Sequence, residues 1–151
     1  MKLILDTSVW VEHLRHGALT ALLPRARGKY RFWMDGIVAG ELVAGCRSRA
    51  ERRVVEGLIA PFTRAGRIVA PVEADLIEAG RGLSKLREKG VSLKNGSGAL
   101  LDALIAIDAV RIGALLVTVN DADFRRLADV TPLRYESFHA WRARLDADND
   151  S

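Results

Sequence analysis

The 151-residue chain is poor in the residues that build zinc sites and disulfides. Cys46 is its single cysteine, which excludes an internal disulfide and any metal site built from cysteines alone. The three histidines, His13, His16 and His139, lack the spacing of metal ligands. We therefore expect no zinc centre, and we interpret Cys46 as a half-buried hydrophobic residue.

Long apolar runs are also missing. The first apolar stretch, residues 1–5, is stopped by Asp6, so it is too short for a signal-peptide core or a membrane span. We therefore expect a cytoplasmic protein that does not contact a membrane. The sequence has no G-x-S-x-G nucleophile elbow, P-loop or dinucleotide-binding glycine motif, which argues against covalent or nucleotide-dependent catalysis.

The composition predicts one globular domain. Hydrophobic residues make up 49% and charged residues 28% of the chain, and its length suits a single core. We expect this domain to span residues 1–145, followed by a polar acidic tail over residues 146–151. The net charge of +4 is compatible with a polyanionic partner but does not indicate one by itself.

Short apolar segments alternate with stretches of helical periodicity. The predicted strands cover residues 2–5, 31–34, 67–70, 115–118 and 130–134. The predicted helices cover residues 9–15, 18–27, 37–46, 50–65, 73–89 and 99–112, with a loop over 90–98 and a short helix after residue 118. This alternation predicts an α/β fold with a central, mainly parallel sheet of about five strands and helices on both faces.

Acidic residues follow two of these strands. Asp6 ends the first, and Asp121 and Asp123 come shortly after the strand over residues 115–118. Ligands of open parallel sheets collect at the carboxyl ends of the strands, so these acids are candidate site residues. For Asp6, capping of the following helix is an alternative interpretation.

Two further acids lie on otherwise apolar helix faces. Helical spacing puts Asp102 on one face with Ile105 and Ala109, and it puts Glu41 beside Ala44 and other small residues. A carboxylate turned inward in this way needs a cation, a metal or a catalytic role. We place Asp108 on a different, solvated face.

The spacing indicates a metal as the counter-charge. No lysine or arginine lies within a turn of Asp6, Glu41 or Asp102, although pairing of Glu41 with Arg47 at the surface remains an alternative. Oxygen-only ligand sets suit Mg²⁺ or Mn²⁺. The natural reaction of such a site is hydrolysis of a phosphodiester bond.

Four segments together resemble the motifs of the PIN domain, especially those of VapC toxins from bacterial VapBC toxin–antitoxin pairs. They are Leu5-Asp6-Thr7-Ser8-Val9-Trp10-Val11, Gly40-Glu41-Leu42 with Ala44-Gly45, Leu101-Asp102-Ala103-Leu104-Ile105-Ala106, and Val117-Thr118-Val119-Asn120-Asp121-Ala122-Asp123-Phe124. Each motif is weak alone, but their order and separation cover nearly the whole chain.

The resemblance implies an endoribonuclease that depends on Mg²⁺ or Mn²⁺ and acts on tRNA or ribosomal RNA. It also implies a cognate VapB-type antitoxin and a homodimer. By motif position Asp6, Glu41 and Asp102 are the catalytic, metal-binding acids. Thr7 or Ser8 and Thr118 would assist through their hydroxyl groups.

The fourth acid is not fixed by the resemblance. Asn120 stands where many relatives carry Asp or Asn two residues after the threonine, so either Asp121 or Asp123 could supply the carboxylate. We favour Asp121. If neither side chain points inward, the site has three acids and holds one metal.

Two other functions are consistent with parts of the pattern. A phosphatase of the haloacid-dehalogenase kind would use Asp6 as its nucleophile, but it requires a second Asp where Ser8 stands. A catalytically inactive PIN-like module would only bind RNA or protein, yet clustered carboxylates repel a polyanion unless a metal is present.

Arginines are the candidate RNA contacts. They are Arg15, Arg47, Arg49, Arg52 and Arg53, and for each one taken alone a solvated basic helix face is the favoured interpretation. Specific recognition of RNA depends on loop shape and splayed bases, so no motif in the sequence identifies the RNA that is cut.

Overall fold

The computed structural model describes all 151 residues, in five strands and eight α-helices. The strands are β1 (Lys2–Leu5), β2 (Arg31–Asp35), β3 (Ile68–Val69), β4 (Leu115–Thr118) and β5 (Tyr135–Ser137). The helices are α1 (Thr7–His16), α2 (Leu22–Ala26), α3 (Gly36–Ala44), α4 (Arg49–Arg64), α5 (Glu73–Glu88), α6 (Ala99–Ile112), α7 (Asp121–Ala128) and α8 (Phe138–Asn149). A single 3₁₀ turn covers Gly96–Gly98.

The five strands form one sheet in the order β3-β2-β1-β4-β5. Every neighbouring pair is parallel, with Leu3 opposite both Phe32 and Leu115 in the central register. The predicted fold class is therefore confirmed. Because crossovers between parallel strands are right-handed, the reversal of strand order at β1 places α1 to α4 on one face and α5 to α7 on the other.

The core is built around the central strands. Leu3, Ile4 and Leu5 of β1 are almost completely buried, as are Leu116 and Val117 of β4. Strands covered on both faces read as continuous apolar runs, which is why these two strands could be identified from the sequence. None of the helices combines the length and the apolar character that a membrane span requires.

The C-terminal part of the chain differs from the sequence-based prediction. The last strand is Tyr135–Ser137 and not 130–134. Pro132, within the predicted segment, has no N–H group to donate to a neighbouring strand, and the ladder with β4 begins only at the pair Leu116 and Tyr135.

Helix α8 was not predicted. Ser137 caps it by accepting a hydrogen bond from the Ala140 N–H at 3.1 Å, and Trp141 and Leu145, one turn apart, are buried. The helix continues to Asn149, through most of the segment that the sequence indicated as a polar tail. Its polar face is held by an ion pair from Asp146 to Arg25 at 2.9 Å.

Candidate functional site

The site lies where the strand order reverses, at the carboxyl ends of β1 and β4. Asp6 follows β1 directly, and its N–H donates to the carbonyl of Val117 on β4 at 2.9 Å. Thr118 is the last residue of β4 and is fully buried. This is the position at which open α/β sheets bind ligands.

An open pocket of about 400 Å³ occupies this position. We call it the acidic pocket, and it is lined by Asp6, Thr7, Ser8, Glu41, Lys94, Asn95, Asp102, Asn120 and Asp123. Four of the five acids singled out in the sequence therefore meet there. The fifth, Asp121, opens helix α7 and is not among the lining residues.

Asp6 is held by hydroxyl groups. Its side chain is 4% exposed, and its Oδ2 accepts hydrogen bonds from Ser8 Oγ and Thr118 Oγ1, both at 2.9 Å. Although Asp6 occupies the N-cap position of α1, its side chain makes no capping hydrogen bond of normal geometry. Burial raises the pKa of Asp6, and the two hydroxyl donors only partly oppose this effect.

Glu41 reaches the pocket from the middle of α3. It is half-buried, and its Oε1 accepts a hydrogen bond from Thr7 Oγ1 at 2.8 Å. Burial raises its pKa, the Thr7 hydrogen bond lowers it, and the charge of Asp6 raises it further. Glu41 forms no ion pair with Arg47 or with any other cation, so the surface-pairing alternative does not describe the structure.

Asp102 enters from the first turn of α6, as its spacing predicted. It is 5% exposed, and its Oδ2 accepts a hydrogen bond from Asn95 Nδ2 at 2.8 Å. Burial raises its pKa to about 7, and the charges of Asp6, Glu41 and Asp123 act in the same direction against the Asn95 hydrogen bond. The carboxylates are thus near enough to resist one another's ionisation.

Asp123 differs from these three acids because both of its oxygens accept hydrogen bonds. Oδ1 accepts from the Lys94 N–H at 2.8 Å, and Oδ2 accepts from the Asn95 N–H at 3.0 Å and from Asn120 Nδ2 at 3.1 Å. Burial alone would raise the pKa of Asp123, but these donors and the charge of Arg126 outweigh it and lower the pKa. Asp123 is therefore an ionised carboxylate already supplied with donors.

The donor set of the pocket fits a hard divalent cation. Asp6, Glu41 and Asp102 each keep one oxygen outside the side-chain hydrogen bonds, namely Oδ1, Oε2 and Oδ1, and none of them forms an ion pair. Oxygen ligands without histidine or cysteine suit Mg²⁺ or Mn²⁺. No three acidic, histidine or cysteine side chains stand at the spacing of a ready-formed metal cage, so the fit rests on donor chemistry.

The sequence profile of the PIN domain matches residues 3–130, which is most of the chain. The chain belongs to the PIN domain family. The matched range begins at β1 and ends after α7, so it contains every element that lines the acidic pocket. The resemblance inferred from the four motifs is therefore confirmed.

Solved structures with the same fold include toxin–antitoxin complexes. VapBC-1 from nontypeable Haemophilus influenzae is 22% identical over 91% of this chain and 98% of its own, with a TM-score of 0.66. VapBC2 from Rickettsia felis, solved bound to a promoter DNA fragment, is 21% identical over 91% and 99%, with a TM-score of 0.67. FitAcB from Neisseria gonorrhoeae is 20% identical over 89% and 96%, with a TM-score of 0.63. No curated protein sequence matched the chain.

Sequence reasoning missed two features of this PIN domain. The first is Asn95, whose segment was interpreted only as a loop, although it supplies the sole side-chain hydrogen bond to Asp102. The second is Asp108, which was placed on a solvated face and is fully buried beside Asp35. The signal for Asp108 was available, because α6 is apolar around almost its whole circumference and leaves little solvated face.

Proposed function

We propose that this PIN-domain protein is an endoribonuclease that depends on Mg²⁺ or Mn²⁺ and acts as the toxin of a VapBC-type pair. The observation that carries the proposal is the meeting of Asp6, Glu41 and Asp102, from three separate elements, in one pocket without a cationic partner. Burial raises the pKa of each of these carboxyl groups, and a bound cation would favour the ionised form of all three, which supports the proposal.

In this proposal Asp6, Glu41 and Asp102 hold the cation through their free oxygens. The bound ion would supply a hydroxide nucleophile at neutral pH and neutralise charge on the scissile phosphate. Ser8 and Thr118 hold the Asp6 carboxylate by hydrogen bonds to Oδ2, and Thr7 holds the Glu41 carboxylate at Oε1, so in each group the other oxygen is left for the ion. Such outer hydrogen bonds orient ligands and typically account for about 10–100-fold in metal affinity.

The fourth acid is reassigned within the proposal. Asp121 does not line the pocket, and both oxygens of Asp123 already accept hydrogen bonds, so we propose a three-acid set that holds one ion. Asp121→Asn tests the choice between this set and the preference for Asp121 drawn from the sequence. Wild-type cleavage would support the three-acid set, and loss of cleavage would return Asp121 to the site.

Basic side chains support an RNA substrate. Arg15 and Arg47 line an apolar groove of about 690 Å³ between α1, α3 and α4, and this groove shares Thr7 and Glu41 with the acidic pocket. Both arginines are exposed and form no ion pair, so their charges are available for phosphates. Cleavage of tRNA or ribosomal RNA in the cytoplasm belongs to the same proposal.

The partner proposal follows from the related structures, whose names describe VapBC and FitAB complexes. We propose an antitoxin of the VapB type for this chain. We also propose a homodimer, which the exposed apolar side chains of Val72, Leu76 and Ile77 around the start of α5 support.

Incubation with total tRNA and ribosomal RNA tests the activity. We expect single cuts in one RNA species with Mg²⁺ or Mn²⁺ and none with chelator. Asp6→Asn and Asp102→Asn should lower the rate at least about 100-fold, because each removes an ion ligand and an oriented negative charge. Asp121→Asn should cut like wild type.

Other outcomes would favour the competing functions. Metal-independent RNA binding without cleavage would indicate the inactive module, and a trapped aspartyl-phosphate on Asp6 would indicate the phosphatase. Equal cleavage by wild type, Asp6→Asn and Asp102→Asn would identify a contaminating nuclease and remove support for the proposal.

A further inference from the structure

The segment between α5 and α6, residues 90–98, forms one wall of the acidic pocket and is called here the site loop. Two consecutive backbone N–H groups of this loop, those of Lys94 and Asn95, donate to the two oxygens of Asp123. Asp123 is fully buried at the first turn of α7. The carboxylate thus fastens the loop to a helix that lies about 28 residues further along the chain.

The fastened loop presents the Asn95 side chain to Asp102. Asn95 Nδ2 donates to Asp102 Oδ2 at 2.8 Å, which leaves Oδ1 of Asp102 as the oxygen without a side-chain donor. A carboxylate bound in this way cannot rotate freely, so its second oxygen has a defined direction.

The Asn95 amide lies against Gly98. A Cβ added at Gly98 would lie 2.4 Å from Nδ2, 2.6 Å from Cγ and 2.7 Å from Oδ1 of Asn95. These separations are too short for any side chain at position 98 while the amide stays in place. The Gly98 backbone has φ of −84° and ψ of −3°, which alanine adopts easily, so the glycine is required by this contact and not by its backbone conformation.

We propose that Asn95 is a positioning residue that orients Asp102 toward the divalent ion, and that Asp123 acts by holding Asn95 and not by binding the ion. This inference rests on the proposed metal-dependent function. It gives a role to three residues, Asn95, Gly98 and Asp123. Each role rests on a contact that is present in the structure.

The test measures Mn²⁺ affinity by calorimetric titration of the purified chain at constant pH. Asn95→Ala removes the amide donor, and Gly98→Ala keeps Asn95 but displaces its amide. Both should weaken Mn²⁺ binding about tenfold, within the range for residues that orient ligands. Ser97→Ala, a neighbouring exposed residue of the same loop, should bind Mn²⁺ like wild type.

Limited trypsin digestion reports separately on the fastening of the loop. We expect Asp123→Ala to become susceptible to cleavage after Lys94, because both backbone hydrogen bonds to the loop are lost. Asn95→Ala and Asp102→Asn should stay resistant at Lys94, since the backbone clamp is intact in each. Asp102→Asn should nevertheless lose Mn²⁺ binding.

The double variant Asn95→Ala/Asp123→Ala decides how Asp123 acts. If Asp123 works through Asn95, the double variant should bind Mn²⁺ no more weakly than Asp123→Ala alone. If the losses of Mn²⁺ affinity in the two single variants multiply in the double variant, Asp123 acts independently of Asn95. This result would overturn the part of the inference in which Asp123 acts by holding Asn95. Wild-type affinity in both Asn95→Ala and Gly98→Ala would overturn the other half.

Failure of the proposed function has a different signature. In that case wild type itself would neither bind Mn²⁺ nor cut RNA, whatever the state of the loop. The role of Asn95 would then fall with the proposed function, while protection of Lys94 from trypsin would still report the Asp123 clamp.

Discussion

Hydroxyl groups define how the central carboxylate of the pocket is held. Thr118 donates to Asp6 Oδ2 and at the same time accepts a hydrogen bond from the Asn120 N–H at 2.8 Å. Because Thr118 is fully buried, water cannot replace either interaction. One hydroxyl thus links β4, the carboxylate after β1 and the turn that leads into α7.

Replacement of Thr118 by valine tests this link. Valine keeps the shape of threonine but leaves Asp6 with one hydroxyl donor fewer and the Asn120 N–H without its acceptor. We expect the free energy of unfolding to fall by about 1–3 kcal/mol in urea denaturation without divalent ions. Thr131→Val removes a hydroxyl that donates only to the Leu127 carbonyl, so it should lower the free energy of unfolding by less than Thr118→Val does. Equal stability of the two variants would contradict the linking role.

At the residue scale the sequence predicted the three pocket acids well but not the side chains that serve them. Asp6 could be found because it ends an apolar run typical of a buried strand. Glu41 and Asp102 could be found because helical spacing places each of them on an otherwise apolar face. Asn95 could not, because its role depends on a loop conformation fixed by Asp123, and that contact spans about 28 residues. The choice between Asp121 and Asp123 likewise depends on where α7 begins, which the sequence leaves open.

Two buried acids tie elements together away from the pocket. Asp35 ends β2 and caps α3 by accepting from the Ile37 N–H at 2.7 Å, and Asp108 lies on α6. Both are fully buried, and the Oδ2 atom of each lacks a hydrogen-bond partner among fixed donors. A protonated Asp35 can donate a hydrogen bond to the Asp108 carboxylate, and Arg111 forms ion pairs with Asp108 and with Asp75 of α5.

This carboxyl pair makes stability depend on pH. Burial first, and then the charge of Asp108, raises the pKa of Asp35 from 3.8 to about 8. The folded chain therefore keeps this proton while the unfolded chain releases it, so stability falls as pH rises from about 4 to about 8. Asp6, Glu41 and Asp102 contribute with the same sign and Asp123 with the opposite sign, so a variant is needed to isolate the contribution of Asp35.

Asp35→Asn provides that variant, because asparagine still caps α3 and donates permanently to Asp108. We expect wild type to lose on the order of a few kcal/mol relative to this variant as pH rises over that interval. Urea denaturation at a series of pH values measures the difference. Parallel curves for the two proteins would show that Asp35 is not the group that holds the proton.

The elements themselves were largely predictable. Helix α6 and strand β4 have the bounds that periodicity predicted, and α4 and α5 differ only at their ends. The errors in the predicted bounds lie where tertiary contacts determine the bounds of an element. One example is β5, whose position is set by its pairing with β4. Helix α8 was not predicted because most of its side chains are polar, and its buried face consists only of Trp141 and Leu145.

At the scale of the whole molecule, an acidic pocket lies beside basic side chains. The exposed arginines of this region are Arg15, Arg47, Arg49, Arg52 and Arg53, and none of them forms an ion pair. Such an arrangement attracts a polyanion to the rim while the pocket itself repels it until a cation is bound.

Arg15→Ala and Arg47→Ala test this rim in the Asp102→Asn background, where cleavage cannot interfere. Each should weaken binding of RNA and reduce the dependence of log Kd on log salt by about one unit, as expected for one lost phosphate contact. Arg31→Ala is the matched control, since the exposed Arg31 begins β2 at the amino ends of the parallel strands, opposite the carboxyl ends where the pocket lies. Fluorescence anisotropy over a range of salt concentrations measures all three. Equal salt dependence in every variant would exclude the rim as the contact surface.

The strand order has a consequence for how the protein is made. β1 leaves the ribosome before β4, and it completes its pairing only with β4, whose last residue is Thr118. A growing chain that has not yet released β4 has no partner for one side of β1 and no hydroxyl from Thr118 for Asp6. Under the proposed function, we expect cleavage of RNA by a nascent chain to begin only after β4 has left the ribosome and paired with β1.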